Sequence, residues 1–123
     1  MIGLPSLSQL DRTSDLRIWL ATQPADMRCG FDRLAELARS VMRQDPLSGH
    51  LFVFRNRRGD RLKLLYWDED GLAVWAKRLE QGTFQFPAAT TTGVEIQATE
   101  LVMILGGVDL NSAKRRPRYR RPA

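Results

Sequence analysis

Residues 48–87 read SGHLFVFRNRRGDRLKLLYWDEDGLAVWAKRLEQGTFQFP, and three apolar runs within them decide the fold: LFVF at 51–54, LKLLYW at 62–67 and LAVWA at 72–76. Each is rich in aromatic or β-branched residues and too short for a stable helix, which predicts strands. Turn chemistry separates them. NRRGD at 56–60 and DEDG at 68–71 each place a glycine in a polar cluster, where a positive φ costs nothing. Closing both as tight hairpins sets Phe54 opposite Lys63, Phe52 opposite Leu65, Trp67 opposite Leu72 and Arg61 opposite Arg78. Alternation then gives one face Phe52, Phe54, Leu65, Trp67, Leu72 and Val74, and the other Leu51, Val53, Leu62, Leu64, Tyr66 and Trp75. Both faces are apolar enough to need cover.

Charge segregates along these strands, not across them. Arg55, Arg57, Arg58, Arg61, Lys63, Lys77 and Arg78 come to the end that holds the first turn, diluted by Asp60 and Glu80. Asp68, Glu69 and Asp70 gather at the other end. Arginine forks and lysine point charges at one edge suit a nucleic-acid backbone. The plain alternative is that solvated charges end strands and protect sheet edges.

Upstream, residues 16–21 (LRIWLA) alternate as a short strand, with Ile18 and Leu20 on one side and Trp19 on the other. A helix is expected over 27–43, with Asp26 as N-cap and an inward stripe of Phe31, Leu34, Ala35, Ala38, Val41 and Met42. Gly30 near its start either permits close approach of another backbone or marks a start one turn later. Asp45-Pro46 stops the helix. Downstream, 83–86 (TFQF) reads as a strand carrying Phe84 and Phe86 on one face, 94–96 as a last short strand, and 99–105 as a helix with Leu101, Val102 and Leu105 inward, closed by Gly106-Gly107. The expected fold is α+β: an antiparallel sheet of four or five strands, one long helix packed on it, and a short C-terminal helix on the other face.

A chain of 123 residues with 43% hydrophobic and 27% charged residues is one globular domain. We divide it into an N-terminal arm (1–14), a single domain (15–110) and a basic tail (111–123). The tail holds Lys114, Arg115, Arg116, Arg118, Arg120 and Arg121 and no acid, so the remainder has 13 basic against 14 acidic residues and the net charge of +5 belongs to the tail. Tyr119 among those arginines could stack on a base, or the tail could simply solubilise the chain. No apolar run reaches the roughly 20 residues that span a bilayer, and no basic start precedes an apolar stretch, so a cytoplasmic protein without a membrane partner is expected.

Catalytic and metal-binding constellations are hard to assemble from this chain. One His (His50) and one Cys (Cys29) exclude the usual zinc spacings. Asp68, Glu69 and Asp70 resemble turn formers more than metal ligands, since neighbouring strand positions point to opposite faces. Neither catalytic nor metal residues are assigned, and no cofactor is expected.

The motifs DMRCGFD at 26–32, DPLSGHLFVFRNRRGD at 45–60, KLLYWD at 63–68, KRLEQGTF at 77–84 and, with them, RIWLA at 17–21 resemble the TnpB-type accessory proteins of the insertion-sequence-sixty-six class of bacterial transposable elements. The resemblance covers about residues 16–110 and departs from the family pattern at Cys29, Phe86 and Gln97. It implies a small non-catalytic protein, encoded beside a DDE-type transposase, that assists transposition. Together with the charge pattern, it leads to a DNA-binding accessory factor acting on the element's ends or on duplex DNA generally. The sites are Arg55, Arg57, Arg58, Arg61, Lys63, Lys77, Arg78 and the six tail cations. The alternative is an adaptor that holds the transposase or another element-encoded protein, through the region of Trp19, Trp67 and Trp75 or through the acidic turn.

Overall fold

The computed structural model describes residues 16–107, so the expected arm and the tail with its Lys114–Arg121 cations lie outside the described residues. Five strands, β1 (Ile18–Ala21), β2 (Leu51–Arg55), β3 (Arg61–Asp68), β4 (Gly71–Arg78) and β5 (Gly93–Ile96), form one sheet in the order β4-β3-β2-β1-β5. Among the described residues two helices accompany it, α1 (Phe31–Ser40) and α2 (Ala98–Gly106). The fold is α+β as expected.

The two hairpins have the expected register. Phe52 faces Leu65 and Phe54 faces Lys63 across β2–β3, while Arg61 faces Arg78 and Trp67 faces Leu72 across β3–β4. The pairing of β1 differs: it runs parallel to β2, with Ile18 opposite Leu51, and antiparallel to β5. The sheet is therefore mixed. Parallel neighbours need a long crossover, and the segment holding α1 supplies it. This direction matters, because it brings the chain leaving β1 to the same end of the sheet as the β2–β3 turn.

Each face is covered by one helix. Leu34, Ala35, Ala38 and Met42 pack with Phe52, Phe54 and Leu65 on the α1 side. Ile18, Leu20, Leu51, Val53, Leu62, Leu64 and Tyr66 pack with Leu101 and Ile104 of α2 on the other. Burying twelve large side chains almost completely, Phe52, Phe54 and Phe84 among them, supplies the main drive for folding.

Several local expectations give way to tertiary geometry. Helix α1 begins at Phe31 with Gly30 as its N-cap, the later of the two starts expected, and nothing crowds the space where a Gly30 side chain would stand. Asp26 does not cap it; its Oδ1 accepts from the Arg28 backbone N–H at 2.8 Å and closes a turn ahead of the helix. Phe31, in the first turn, is 51% exposed, and the helix ends at Ser40 before Arg43 takes φ 56°. Residues 83–86 form no strand: the Phe84 N–H donates to Gly59 O at 2.8 Å, and both phenylalanines are buried without a ladder. In α2 Leu101 and Leu105 face the core as expected, with Ala98 and Ile104 beside them, but Val102 is 47% exposed. Glu100 reaches back to the Gln97 N–H at 3.0 Å, and Gly107 ends the helix in the left-handed region at φ 88°.

Candidate nucleic-acid interface

The β2–β3 turn is built so that its arginines are held outward. The Gly59 N–H donates to Asn56 O, closing a turn in which Gly59 takes φ 80°. Asn56 braces the loop from inside: its Oδ1 accepts from the Arg61 N–H at 3.0 Å, and its amide donates to Asp60 Oδ1 at 2.7 Å. That bond is the main reason the Asp60 carboxyl lies below its ordinary pKa, with the field of Arg58 and Arg61 adding to it. Arg57 and Arg58 occupy the apex and are exposed.

Two further segments dock on this end. The Leu79 N–H donates to Asp60 O at 2.7 Å, and residues 79–84 then pass beneath the loop, with Thr83 Cβ 3.3 Å from where a Gly59 side chain would begin. From the other side comes the β1–α1 loop, pinned by the Ala25 N–H to Arg55 O at 2.8 Å. Lys63 completes the tie: its ammonium donates to Met27 O at 2.8 Å and Cys29 O at 2.9 Å.

The cations therefore divide into two groups. Arg57, Arg58, Arg61, Lys77 and Arg78 are exposed. Lys63 is occupied with carbonyls, and Arg55 lies over the Phe86 ring at 4.6 Å, with its Nε buried and burial lowering its pKa. These two shape the site from within and do not belong to the exposed set the sequence reading expected. Arg78 meets Glu80 at 3.0 Å, on the surface where such a pair contributes little. Among the described residues, Arg57, Arg58, Arg61 and Lys77 take part in no ion pair.

Arg28 is a cation that strand reasoning missed. Its guanidinium grips Asp26 through Nε and Nη2, the latter at 2.6 Å, and these hydrogen bonds lower the Asp26 pKa to about 2. The signal was present in DMR at 26–28, but only the parallel β1–β2 pairing brings that loop to the hairpin.

Two adjoining grooves cross this end of the sheet and share Met27 and Arg61. One, of about 550 Å³, is lined by Arg28, Arg57, Arg58 and Arg61; the other, of about 440 Å³, by Arg61, Lys63, Lys77 and Arg78. Asp26 and Glu80 are the carboxylates in their walls, against seven basic residues. Arg61 and Arg78 stand directly opposite one another, an arrangement of like charges that costs stability unless an anion lies between them.

Elsewhere the molecule offers less. Asp68, Glu69 and Asp70 are exposed, and among the described residues no group of three His, Cys, Asp or Glu side chains could hold a metal ion. Trp19 packs on the α1 side and Trp75 on the α2 side, so these two share no surface. No described helix is long and apolar enough to cross a membrane.

The fold and this end define a small α+β protein with a cationic double groove. Residues 16–115 match the family described as IS66 Orf2-like protein, and the chain belongs to that family of IS66 transposition accessory proteins. It is 41% identical over 95 residues, 77% of this chain and 83% of the relative, to uncharacterized protein y4hO of Sinorhizobium fredii (strain NBRC 101917 / NGR234). It is 40% identical over 102 residues, 83% of this chain and 87% of the relative, to uncharacterized protein y4jC of the same organism. No solved structure matches the chain significantly.

Proposed function

We propose that the protein is a non-catalytic accessory factor of IS66 transposition that binds the sugar-phosphate backbone of DNA in the double groove at the first-hairpin end of its sheet. The observation that carries this is the set of exposed arginines Arg57, Arg58 and Arg61, without carboxylate partners among the described residues, with Arg61 facing Arg78 across the ladder. Phosphates of a duplex supply the missing counter-charge, and binding releases condensed cations. Contacts of this kind position a protein on DNA and carry little sequence information, so both element ends and general duplex are substrates. The tail cations Lys114, Arg115, Arg116, Arg118, Arg120 and Arg121 add to the same electrostatic attraction. The partners are DNA and the DDE-type transposase of the same element, in the bacterial cytoplasm or at the nucleoid.

The test is a salt series of DNA affinity on the full chain, on a form ending at Leu110 and on a variant with Arg57, Arg58 and Arg61 all changed to Ala. The expected result is a slope of log affinity against log salt that falls by about 3 in the triple variant, near one unit per lost phosphate contact. An unchanged affinity and slope overturns the hairpin as the site. The rival role, an adaptor for the transposase, rests on the exposed acidic turn, since Trp75 lies on the opposite face of the sheet from Trp19. Capture of the transposase that survives nuclease and is lost on changing Asp68 and Asp70 to Asn favours the adaptor.

A further inference from the structure

We infer that the outer edge of β4 pairs antiparallel with β4 of a second copy of the chain, about a two-fold axis at Val74. β4 is eight residues long and free of bulges, every position from Gly71 to Arg78 facing one residue of β3. It closes the sheet on that side, so alternate backbone N–H and C=O groups point outward. Among the described residues no backbone group bonds to that edge, because the chain turns away at Leu79 and crosses to Gly59.

The opposite edge is managed quite differently. β5 has four residues, and its Glu95 is held 3.8 Å from Arg17 of the neighbouring segment. Short length and charge are devices that keep an edge from pairing, and β4 has neither between Gly71 and Ala76.

The partner follows from register and charge. Outward groups occur on every second residue, so opposed residues share parity and a residue must lie on the axis. With Val74 there, seven residues of β4 are used. Ala73 faces the partner's Trp75, Leu72 faces the partner's Ala76, and the turn residue Asp70, just before the strand, comes alongside the partner's Arg78, whose pair with its own Glu80 is exposed on the surface. An axis at Trp75 sets Leu72 against the partner's Arg78 and leaves Asp70 without a cation; an axis at Ala73 uses only five strand residues. The pairing extends both cores, since Leu72 and Val74 belong to the α1 side and Ala73 and Trp75 to the α2 side. All four are only partly buried in the single chain. The pairing leaves Arg57, Arg58 and Arg61 open and engages Ala76 and Arg78 at the margin of the second groove.

Sedimentation equilibrium of the nuclease-treated full chain tests it. A dimer with Kd on the order of 1–100 μM is expected, the weak class for a small strand-edge interface. Ala76→Lys, at an exposed position, raises Kd by about tenfold or more. Asp70→Arg raises it by about threefold to tenfold, and adding Arg78→Asp restores it to within about threefold. Unchanged far-UV circular dichroism shows that each variant is folded. A chain that stays monomeric at about 100 μM, or a dimer indifferent to both Ala76→Lys and Asp70→Arg, overturns the inference.

Discussion

The β3–β4 hairpin carries opposite charges at its two ends, and the ends differ more in how they are held than in how they are charged. At the acidic end, Asp68, Glu69 and Asp70 are exposed, the Asp70 N–H donates to Asp68 O within the turn, and Glu69 adopts φ 52° with no other described segment bonded to the turn. At the basic end three chain segments converge: the β2–β3 loop, residues 79–84 beneath it, and the β1–α1 loop tied by Lys63. Two of the basic side chains are used as internal ties, Lys63 to the β1–α1 loop and Arg55 over the Phe86 ring. A charged turn alone is a solvated surface. A charged turn braced from both sides has its backbone held, and with it the points from which its cations project.

Three measurements can break or sharpen this contrast. The largest effect is expected from Lys63→Met, which leaves the Met27 and Cys29 carbonyls without their donor and should lower unfolding free energy by about 2 kcal/mol in urea titration. Lys77→Ala at the same end but on the surface should change it by less than about 0.5 kcal/mol. Equal effects would remove the distinction between tying and free cations.

Next comes a pair of glycine substitutions at the two turns. Gly59→Ala meets both a φ of 80° and Thr83 at 3.3 Å, and a loss of about 1–2 kcal/mol in thermal unfolding is expected. Gly71→Ala, with nothing within 4 Å and no positive φ, should cost under about 0.5 kcal/mol.

The smallest effect concerns acid. The Asp26 carboxyl has a folded pKa of about 2 against an ordinary 3.8, so its stabilising clasp on Arg28 is complete above that ordinary value and fades as pH falls toward 2. Carboxyl NMR should place the Asp26 midpoint near 2, and Asp26→Asn should remove that part of the acid dependence. An Asp26 midpoint at the ordinary value would show that the clasp does not persist in solution.

What could be read early follows from distance along the chain. The β2–β3–β4 register is local, since alternation names the faces and each turn closes within a few residues, so Phe52–Leu65 and Arg61–Arg78 were legible without coordinates. The exposed arginines were legible for the same reason. Phe84 and Phe86 misled because alternating aromatics read as a strand, whereas here burial comes without a ladder. Asp26 misled because a carboxylate before an apolar stripe reads as a cap, and the nearer Arg28 took it.

By itself, then, the amino-acid order determined the two hairpins, their apolar faces and the gathering of positive charge at one end. Tertiary structure decided that β1 runs parallel to β2, that Arg28 therefore joins the groove, and that Arg55 and Lys63 turn partly inward to brace it. The reason is physical: alternation and turn chemistry act over a few residues. The direction of a remote strand and the partner of a long cationic side chain depend on which backbone groups the whole fold leaves to be satisfied.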